Sequence, residues 1–427
     1  MEPNENKKRS NDTLVTAIVI VVVVSIVVAL LIPVISRSVQ KNKEEEKYPY
    51  VLVHGLMGYG TSSAVNGVVS YWGATAGRLT SMLSAEGYDV YEASVGPISS
   101  TWDRTCELYA QLYGGRVDYG AAHSEKHGHD RYGRMYEPLF EGMENDSLKV
   151  NLVGHSFGGE TVRLLASLME FGDETEQNAC NDASPLFKGG KGEKIYSVTT
   201  LCSPHNGTTA IYVLDSAYPV SDLLVDMALL LGGTAGNVTN ELFDFQLDHF
   251  GITTKKGEAM TEDELHNTVT TILADNEDHA VTDLSPDGAK KLNEQIKLSP
   301  HTYYISYAFS STHEGSLLDV QVPNADTFAL LRLPSRLIGS YSKNTVTNYP
   351  IDRSWLENDG LVNVVSAKYP FGDEYCEYTE GEKIQKGIWN VMPVQKGDHA
   401  KAVGMGVSSD TLESFFLGFI RLIEEVK

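Results

Sequence analysis

The fold is decided by Val150-Asn151-Leu152-Val153-Gly154-His155-Ser156-Phe157-Gly158-Gly159. Its apolar start predicts a buried strand, and one face of a following helix is predicted by the spacing of Val162, Leu165, Leu168 and Met169. Strand, tight turn, Ser and helix in this order make a nucleophile elbow. Gly-x-Ser-x-Gly alone is often a plain glycine-rich turn, but the strand and helix around it favour a nucleophile at Ser156.

The composition bounds the class of protein. The chain has 427 residues, of which 42% are hydrophobic, enough for one large α/β domain or two smaller ones. Its net charge of −23 argues against a nucleic-acid partner, which would need clustered Lys and Arg. The four cysteines are widely spaced and form no Cys-x-x-Cys pair, so the sequence assigns no disulfide.

The N-terminal part divides into three segments. Residues 1–12 form a short polar tail, 13–35 a predicted transmembrane signal-anchor helix, and 36–47 a charged linker. The run Leu14–Ile35 is 22 residues without a charge, and about 20 apolar helical residues span a bilayer core. A cleaved signal peptide is the alternative, but the run is longer than the usual apolar region of about 7–15 residues.

The predicted location is that of a single-pass membrane protein with the catalytic domain outside the cell or in a lumen, or a secreted protein if the segment is cleaved. Basic residues flank both ends of the run, so they leave its orientation open. An outside location would make three triplets glycosylation acceptors, although such triplets are common by chance, and they begin at Asn145, Asn206 and Asn237.

A second loop of the expected site follows the strand Tyr50–Val53. It reads His54-Gly55-Leu56, and in a doubly wound sheet the loops after the strands build the site. The backbone N–H groups of Leu56 and Phe157 are therefore the predicted oxyanion donors. His-Gly alone is a weak signal, because many such dipeptides are plain turns.

The partners of Ser156 are expected in the order nucleophile, acid, base. His399 is the only histidine late in the chain, just before the last predicted helix, and is the predicted base. The candidate acids before it are Asp352, Glu357, Asp359 and Asp373. Asp359 precedes Gly360 in a tight turn that can aim a carboxylate at His399, although a turn aspartate also commonly binds its own backbone.

Residues 205–273 predict a helical insertion with apolar clusters, for example Leu223, Leu224, Met227, Leu230 and Leu231. One interpretation is a packed insertion. The other is a lid whose apolar face meets lipid when it opens. Upstream, His123, His127 and His129 lie close together, but loose spacing in a loop is only a soft signal for a metal.

Several stretches, occurring in the same order along the chain, resemble bacterial lipases of the thermoalkalophilic Bacillus/Geobacillus and staphylococcal group. They cover most of Tyr48–Lys427, and they include Val53-His54-Gly55-Leu56-Met57-Gly58, Val95-Gly96-Pro97-Ile98-Ser99-Ser100, Trp102-Asp103-Arg104, Val117-Asp118-Tyr119-Gly120-Ala121-Ala122-His123, Asp283-Leu284-Ser285 and Trp355-Leu356-Glu357-Asn358-Asp359-Gly360. The resemblance implies an α/β-hydrolase fold over 48–427, with a mostly parallel central sheet flanked by helices and a lid. It places the triad on Ser156, Asp359 and His399.

The resemblance also implies metal chemistry. Its zinc ligands fall on Asp103, His123, His129 and Asp283, and it suggests a structural role for the ion. Its calcium site beyond the catalytic histidine falls on Lys401 and Gly406, which supply no carboxylate, so we expect that site to be lost.

The implied activity is triacylglycerol lipase, a serine hydrolase that cleaves carboxylic esters of glycerolipids. A carboxylesterase or a lipid acyltransferase can use the same acyl-enzyme. An inactive lipid-binding module is the alternative from another class, and the intact triad argues against it. The expected partners are a lipid ester and, through the N-terminal helix, a membrane.

Overall fold

The computed structural model describes residues 47–427 except 218, 223, 226–232, 235–236, 240–243, 253–258, 317–319 and 342–349. Within this part, Tyr48–Lys427 forms one compact unit. The predicted tail 1–12, the anchor 13–35 and nearly all of the linker 36–47 lie outside the described residues.

A seven-stranded sheet lies at the centre, and every neighbouring pair of its strands is parallel. In chain order the strands are β1 (Tyr50–Val53), β2 (Val90–Glu92), β3 (Val150–His155), β4 (Ile195–Leu201), β5 (Tyr303–Tyr307), β6 (Tyr375–Glu377) and β7 (Trp389–Val391). Their spatial order is β6-β7-β5-β4-β3-β1-β2. Strands β3 and β4 are buried at every position, as expected for the middle of a parallel sheet covered on both faces. The predicted central parallel sheet is therefore confirmed.

Helices and short antiparallel ribbons complete the described fold. The helices are α1 (Val65–Val68), α2 (Leu79–Ala85), α3 (Thr101–Tyr113), α4 (Ala121–His127), α5 (Gly158–Phe171), α6 (Glu174–Ala179), α7 (Pro185–Lys188), α8 (Ala210–Ala217), α9 (Glu262–Asp275), α10 (Ala280–Leu284), α11 (Pro286–Asn293), α12 (Arg332–Ile338), α13 (Val364–Lys368) and α14 (Ser409–Glu424). The ribbons pair 115–118 with 132–136 and 312–314 with 321–323, and in a third ribbon 237–239 lies between 233–234 and 259–261 and pairs with both.

Two apolar cores sandwich the sheet. One contains α3 and α5, and the other contains α2 and α14. The apolar stripe of α14 buries Phe416, Phe419 and Ile420 in the second core. Because helices cover both faces, the open edge at the carboxyl ends of the strands is where a site can form.

The predicted insertion at 205–273 has a core of its own in its described part. Leu224, Val225 and Leu265 are buried together with Val269 and with Met57 from the loop after β1. The other apolar residues used for the prediction, Leu223, Met227, Leu230 and Leu231, lie outside the described residues or have undescribed side chains. This packing agrees with the interpretation as a packed insertion, and the lid stays a prediction.

The predicted localisation is corrected by the structure. Within the described residues, no helix is both long enough and apolar enough to cross a membrane. The assignment as a single-pass membrane protein requires such a helix and was therefore wrong on this finding. The segment 13–35, on which it rested, lies outside the described residues.

Candidate active site and metal cluster

Ser156 lies at the turn between β3 and α5, where the sequence predicts the nucleophile. Its φ of +54° is in the left-handed region, which is costly for a residue with a side chain. The turn is tight because a Cβ on Gly154 would lie 2.4 Å from the carbonyl oxygen of Gly158, and one on Gly158 would lie 2.1 Å from that of Val53. Only glycine fits at these two positions, and the strained turn leaves the Ser156 side chain partly exposed.

Asp359 and His399 meet in a buried pair. Nδ1 of His399 donates to Oδ2 of Asp359 at 2.8 Å, and the backbone N–H of His399 donates to the Asp359 carbonyl at the same distance. Oδ1 of Asp359 accepts from the backbone N–H groups of Leu361 and Val362. The carboxylate is therefore fixed by its own turn and by the imidazole, so both interpretations of the turn aspartate hold at once.

The other three candidate acids point elsewhere. Oδ1 of Asp352 accepts from the backbone N–H of Ser354, and Oδ2 of Asp373 accepts from Nε1 of Trp389 at 3.1 Å. Glu357 is exposed. Of the four acids that the sequence left open, Asp359 is the one that the structure brings to His399.

A chain of hydrogen bonds links the loop after β1 to the histidine loop. Nε2 of His155 lies 3.1 Å from the carbonyl oxygen of His399, which can only accept, so Nε2 carries the proton. Nδ1 of this neutral ring then accepts from the hydroxyl of Tyr71 at 2.6 Å, and that hydroxyl accepts from the backbone N–H of Gly55 at 2.9 Å. Burial lowers the pKa of His155 well below its usual range, so the ring stays neutral. Sequence reasoning missed this chain because its members lie far apart in the sequence.

The predicted oxyanion donors lie at the ends of these loops. Phe157 precedes the first turn of α5, whose free N–H groups favour negative charge, and its N–H has no partner among the described residues. The N–H of Leu56 also has none there, while those of its neighbours Gly55 and Met57 are bonded to the Tyr71 hydroxyl and the Pro97 carbonyl. Ser156 Oγ forms no hydrogen bond with His399 within the described structure, a contact that commonly tightens only when substrate binds.

Arg104 is a positioning residue that the sequence analysis did not single out. It is fully buried, and its guanidinium donates to the carbonyl of His54, to the carbonyl of Gly96 at 2.8 Å and to Oγ1 of Thr161 at 3.0 Å. One side chain thus holds the loop after β1, the loop after β2 and helix α5 together. Burial lowers its pKa to about 10, so it is still charged at neutral pH.

A second polar cluster forms beside α3. Nε2 of His123 lies 3.3 Å from Oδ1 of Asp103 and 3.0 Å from Oδ2 of Asp278. Nε2 of His129 lies 3.9 Å and 3.3 Å from the same two oxygens. Zn–N and Zn–O bonds of about 2.0–2.1 Å place tetrahedral ligand atoms roughly 3.3 Å apart, so these spacings fit a metal ion.

Buried atoms without partners support a metal at this cluster. Nε2 of His129 and Oδ1 of Asp103 are buried and have no hydrogen-bond partner within the described part of the chain. Nδ1 of His129 lies 2.9 Å from the carbonyl of Asp130, which fixes the proton there and leaves the Nε2 lone pair aimed at the cluster. The donor set of two carboxylates and two imidazoles could therefore hold a metal ion.

The pKa shifts in the cluster reflect close packing of opposite charges. Burial lowers the pKa of His123, but the close carboxylates of Asp103 and Asp278 outweigh burial and raise that pKa to about 10. Burial raises the pKa of Asp278, but His123 and His129 bring it well below its usual range. His249, which the sequence analysis also missed, donates from Nε2 to Oδ2 of Asp103 at 2.9 Å and fixes this carboxylate.

The fourth residue of the cluster corrects the sequence analysis. Asp283, predicted from the resemblance, lies outside the cluster, and Asp278 takes its place. The reason is local: Oδ2 of Asp283 accepts from the backbone N–H of Thr101 at 2.7 Å, at the start of α3. Asp278 lies before α10 and faces His123 and His129, and only the tertiary fold distinguishes two aspartates five residues apart.

The positions of the expected lost calcium site carry a lysine contact. Nζ of Lys401 lies 2.6 Å from Oδ2 of Asp326, and Gly406 is in a left-handed turn with a φ of +67°. An ammonium group at this point occupies the carboxylate that a cation would need. The absence of calcium stays a prediction.

Parallel sheet, strained serine turn and buried Asp–His pair together define an α/β-hydrolase arrangement. The sequence model of the family described as "Lipase-like, C-terminal domain" matches residues 46–421. The chain belongs to this family, and the resemblance stated from the sequence is confirmed.

Two staphylococcal lipases are similar to this chain over most of its length. The chain is 35% identical over 381 residues to a lipase of Staphylococcus epidermidis and 37% identical over 369 residues to a lipase of Staphylococcus hyicus. These matches cover 88% and 85% of this chain but 52% and 54% of the relatives, so the chain spans about half the length of the curated relatives it matches.

Solved structures share the fold at similar identity. EstA from Clostridium botulinum has a TM-score of 0.80 at 34% identity, covering 88% of this chain and 87% of that one. The crystal structure of Staphylococcus hyicus lipase has a TM-score of 0.75 at 34% identity, covering 90% and 97%. Lipase 1 from Pelosinus fermentans has a TM-score of 0.76 at 37% identity, covering 88% and 98%.

Proposed function

We propose that this chain is a serine hydrolase that cleaves carboxylic esters of glycerolipids, a triacylglycerol lipase, with Ser156, His399 and Asp359 as its triad. The observation that carries the proposal is the buried hydrogen bond of 2.8 Å between His399 and Asp359, in a loop bonded to the residue before Ser156. Relatives named lipase at about 35–37% identity support the substrate class.

The first half of the reaction forms an acyl-enzyme. Nε2 of His399 takes the proton of Ser156 Oγ as this oxygen attacks the ester carbonyl carbon. Asp359 holds the ring with Nδ1 protonated and stabilises the imidazolium that forms. The N–H groups of Leu56 and Phe157 donate to the carbonyl oxygen as it becomes negative. His399 then gives its proton to the departing alcohol, and the C–O bond breaks.

The second half returns the enzyme to its starting state. Water loses a proton to Nε2 of His399 and attacks the acyl carbon, and the proton passes to Ser156 Oγ as the fatty acid leaves. An alcohol in the place of water would give transfer instead of hydrolysis, so the carboxylesterase and acyltransferase alternatives use the same residues. The intact Asp359–His399 pair weighs against a module that only binds lipid.

The test is a rapid-mixing experiment with a nitrophenyl ester that dissolves as monomers. We expect a burst of nitrophenol equal to about one per chain, which the variant Ser156→Ala abolishes. Ser84→Ala is the matched control, because Ser84 is exposed on α2. Full activity in Ser156→Ala would overturn the triad. Competition between water and glycerol as acceptors measures how much of the acyl-enzyme is transferred rather than hydrolysed.

We also propose that Asp103, His123, His129 and Asp278 hold a Zn²⁺ ion. Two imidazoles and two carboxylates suit zinc in a closed tetrahedral site. When bound, the ion supplies bonds that connect α3, the residues around α4 and the segment before α10. The four residues leave no position for substrate, so its role in the proposal is structural.

A further inference from the structure

Phe328–Leu337 stands out as an exposed apolar segment beside the site. Phe328 is 38% exposed, Leu330 65% and Leu333 66%, in a run that is helical from Ala329 to Ile338. Monomeric proteins bury most leucines, and exposed leucines grouped on one element mark an interaction surface. We name this segment, residues 328–337, the leucine ridge.

The leucine ridge is attached to the catalytic loops. The backbone N–H of Phe328 donates to Oδ2 of Asp398, the residue before His399, at 2.9 Å. Leu331 lies against Gly360, the residue after Asp359, so closely that a Cβ there would be 2.9 Å from the Cβ of Leu331. The ridge therefore borders both loops that supply the acid and the base.

The positive charge of the leucine ridge indicates the kind of partner that it fits. The ridge carries Arg332 and Arg336 and no acidic residue, although the whole chain has a net charge of −23. Arg332 donates to the carbonyls of Ala325 and Thr327, and neither guanidinium forms an ion pair with a carboxylate in the part of the chain that is described. Leucines beside arginines on a short helix are typical of segments that lie in the interface of an anionic lipid layer.

We propose that the leucine ridge docks on the surface of lipid layers that contain anionic headgroups, with Leu330 and Leu333 inserted among the acyl chains. Arg332 and Arg336 then face the headgroups, and the docked surface brings the mouth of the triad to the layer from which an ester must be drawn. The inference rests on the proposed function for its purpose, but the docking itself requires no hydrolysis.

The experiment measures sedimentation with vesicles, using Ser156→Ala protein so that lipid is not consumed. The vesicles are phosphatidylcholine alone or phosphatidylcholine with phosphatidylglycerol. We expect tighter partitioning onto the anionic vesicles. Adding Leu330→Gln and Leu333→Gln should weaken it at least about tenfold, since each buried leucine contributes to partitioning. Adding Arg332→Gln and Arg336→Gln should weaken partitioning onto anionic vesicles roughly tenfold and change partitioning onto neutral vesicles little.

The control is Met135→Gln, because Met135 is 69% exposed on the ribbon at 132–136, outside the ridge. Equal loss in this control and in the leucine variant would overturn the proposal, and so would the absence of vesicle binding. Retained anionic preference in the arginine variant would also contradict it. A dimer that the leucine variant makes monomeric would show instead that the ridge pairs two copies of the chain.

Activity separates this proposal from the proposed function. In the enzyme with Ser156 intact, the leucine variant should lower the ratio of the rate on emulsified ester to the rate on dissolved nitrophenyl ester. If the proposed function fails, neither ester is hydrolysed, while vesicle binding still decides the docking. An unchanged ratio together with unchanged binding would contradict the docking proposal without contradicting the proposed hydrolase function.

Discussion

The proposed triad of Ser156, His399 and Asp359 and the metal cluster are both built from distant residues, yet they differ in what positions the side chains. In the proposed triad, backbone geometry positions the side chains, because Ser156 lies on a strained turn and Asp359 is held by the N–H groups of its own turn. At the metal cluster, side-chain orientation decides, because Asp278 and Asp283 are close in sequence and only one faces the histidines. Sites of the first kind are therefore easier to find from sequence.

The largest effect that sharpens this comparison is expected at the acid. Asp359→Asn should lower kcat/KM by roughly 10³–10⁴-fold, because the amide favours the wrong tautomer of His399. Asp352→Asn is the matched control, since Asp352 caps a different turn and should cost little. Steady-state kinetics on a dissolved ester measure both. A comparable loss in the two variants would break the assignment of Asp359.

The corresponding test at the metal cluster compares the two aspartates. Asp278→Asn should reduce bound zinc from one ion per chain to a small fraction and lower the free energy of unfolding by about 3–4 kcal/mol at saturating metal. Asp283→Asn should keep the ion, because an amide oxygen still accepts from Thr101. Elemental analysis and thermal unfolding, with and without a chelator, measure the two variants. Metal loss in Asp283→Asn alone would restore the ligand set predicted from sequence.

Glu160 is a buried acid in the first turn of α5, the helix that follows Ser156. Burial raises its pKa from 4.5 to about 8, and neither carboxylate oxygen has a hydrogen-bond partner among the residues that the structure describes. Between these two pH values the folded chain holds a proton that the unfolded chain has lost, so stability falls as pH rises from about 5 to 8. Glu160→Gln cannot ionise.

The stability of Glu160→Gln relative to the parent should therefore increase over this pH range, by an amount on the order of a few kcal/mol. Denaturant unfolding at pH 5, 6.5 and 8 measures it. A difference in unfolding free energy that stays constant with pH would show that Glu160 is ionised in the folded chain.

The smallest effect is expected in the hydrogen-bond chain behind the triad. Tyr71→Phe removes the acceptor of the Gly55 N–H and the donor to His155, and should lower kcat about tenfold with little change in KM, because it loosens the loop bearing Leu56. Tyr375→Phe is the control, since Tyr375 is 47% exposed on β6. A Tyr71→Phe enzyme with parental kcat and reduced thermal stability would assign the chain to folding alone.

Particular residues show how far the sequence reaches. The strand–turn–helix pattern around Ser156 predicts the middle of the sheet, because burial on both faces requires an apolar run and the tight turn requires glycines, and both can be recognised in the local sequence. His399 was predicted from its position, whereas Asp359 was one of four candidate acids until the family resemblance placed the acid there. No such local pattern identifies Arg104, His155 or His249, because their partners lie on other loops. Asp278 was missed for the same reason.

Ser156 is the proposed nucleophile, served by His399 and Asp359. Treatment with a fluorophosphonate ester followed by peptide mass spectrometry tests it most directly, since only an activated serine displaces the fluoride. We expect one phosphonyl group per chain on Ser156, and no label on this serine when His399 is replaced by Ala. A label on another serine, or labelling of Ser156 that persists without His399, would contradict it.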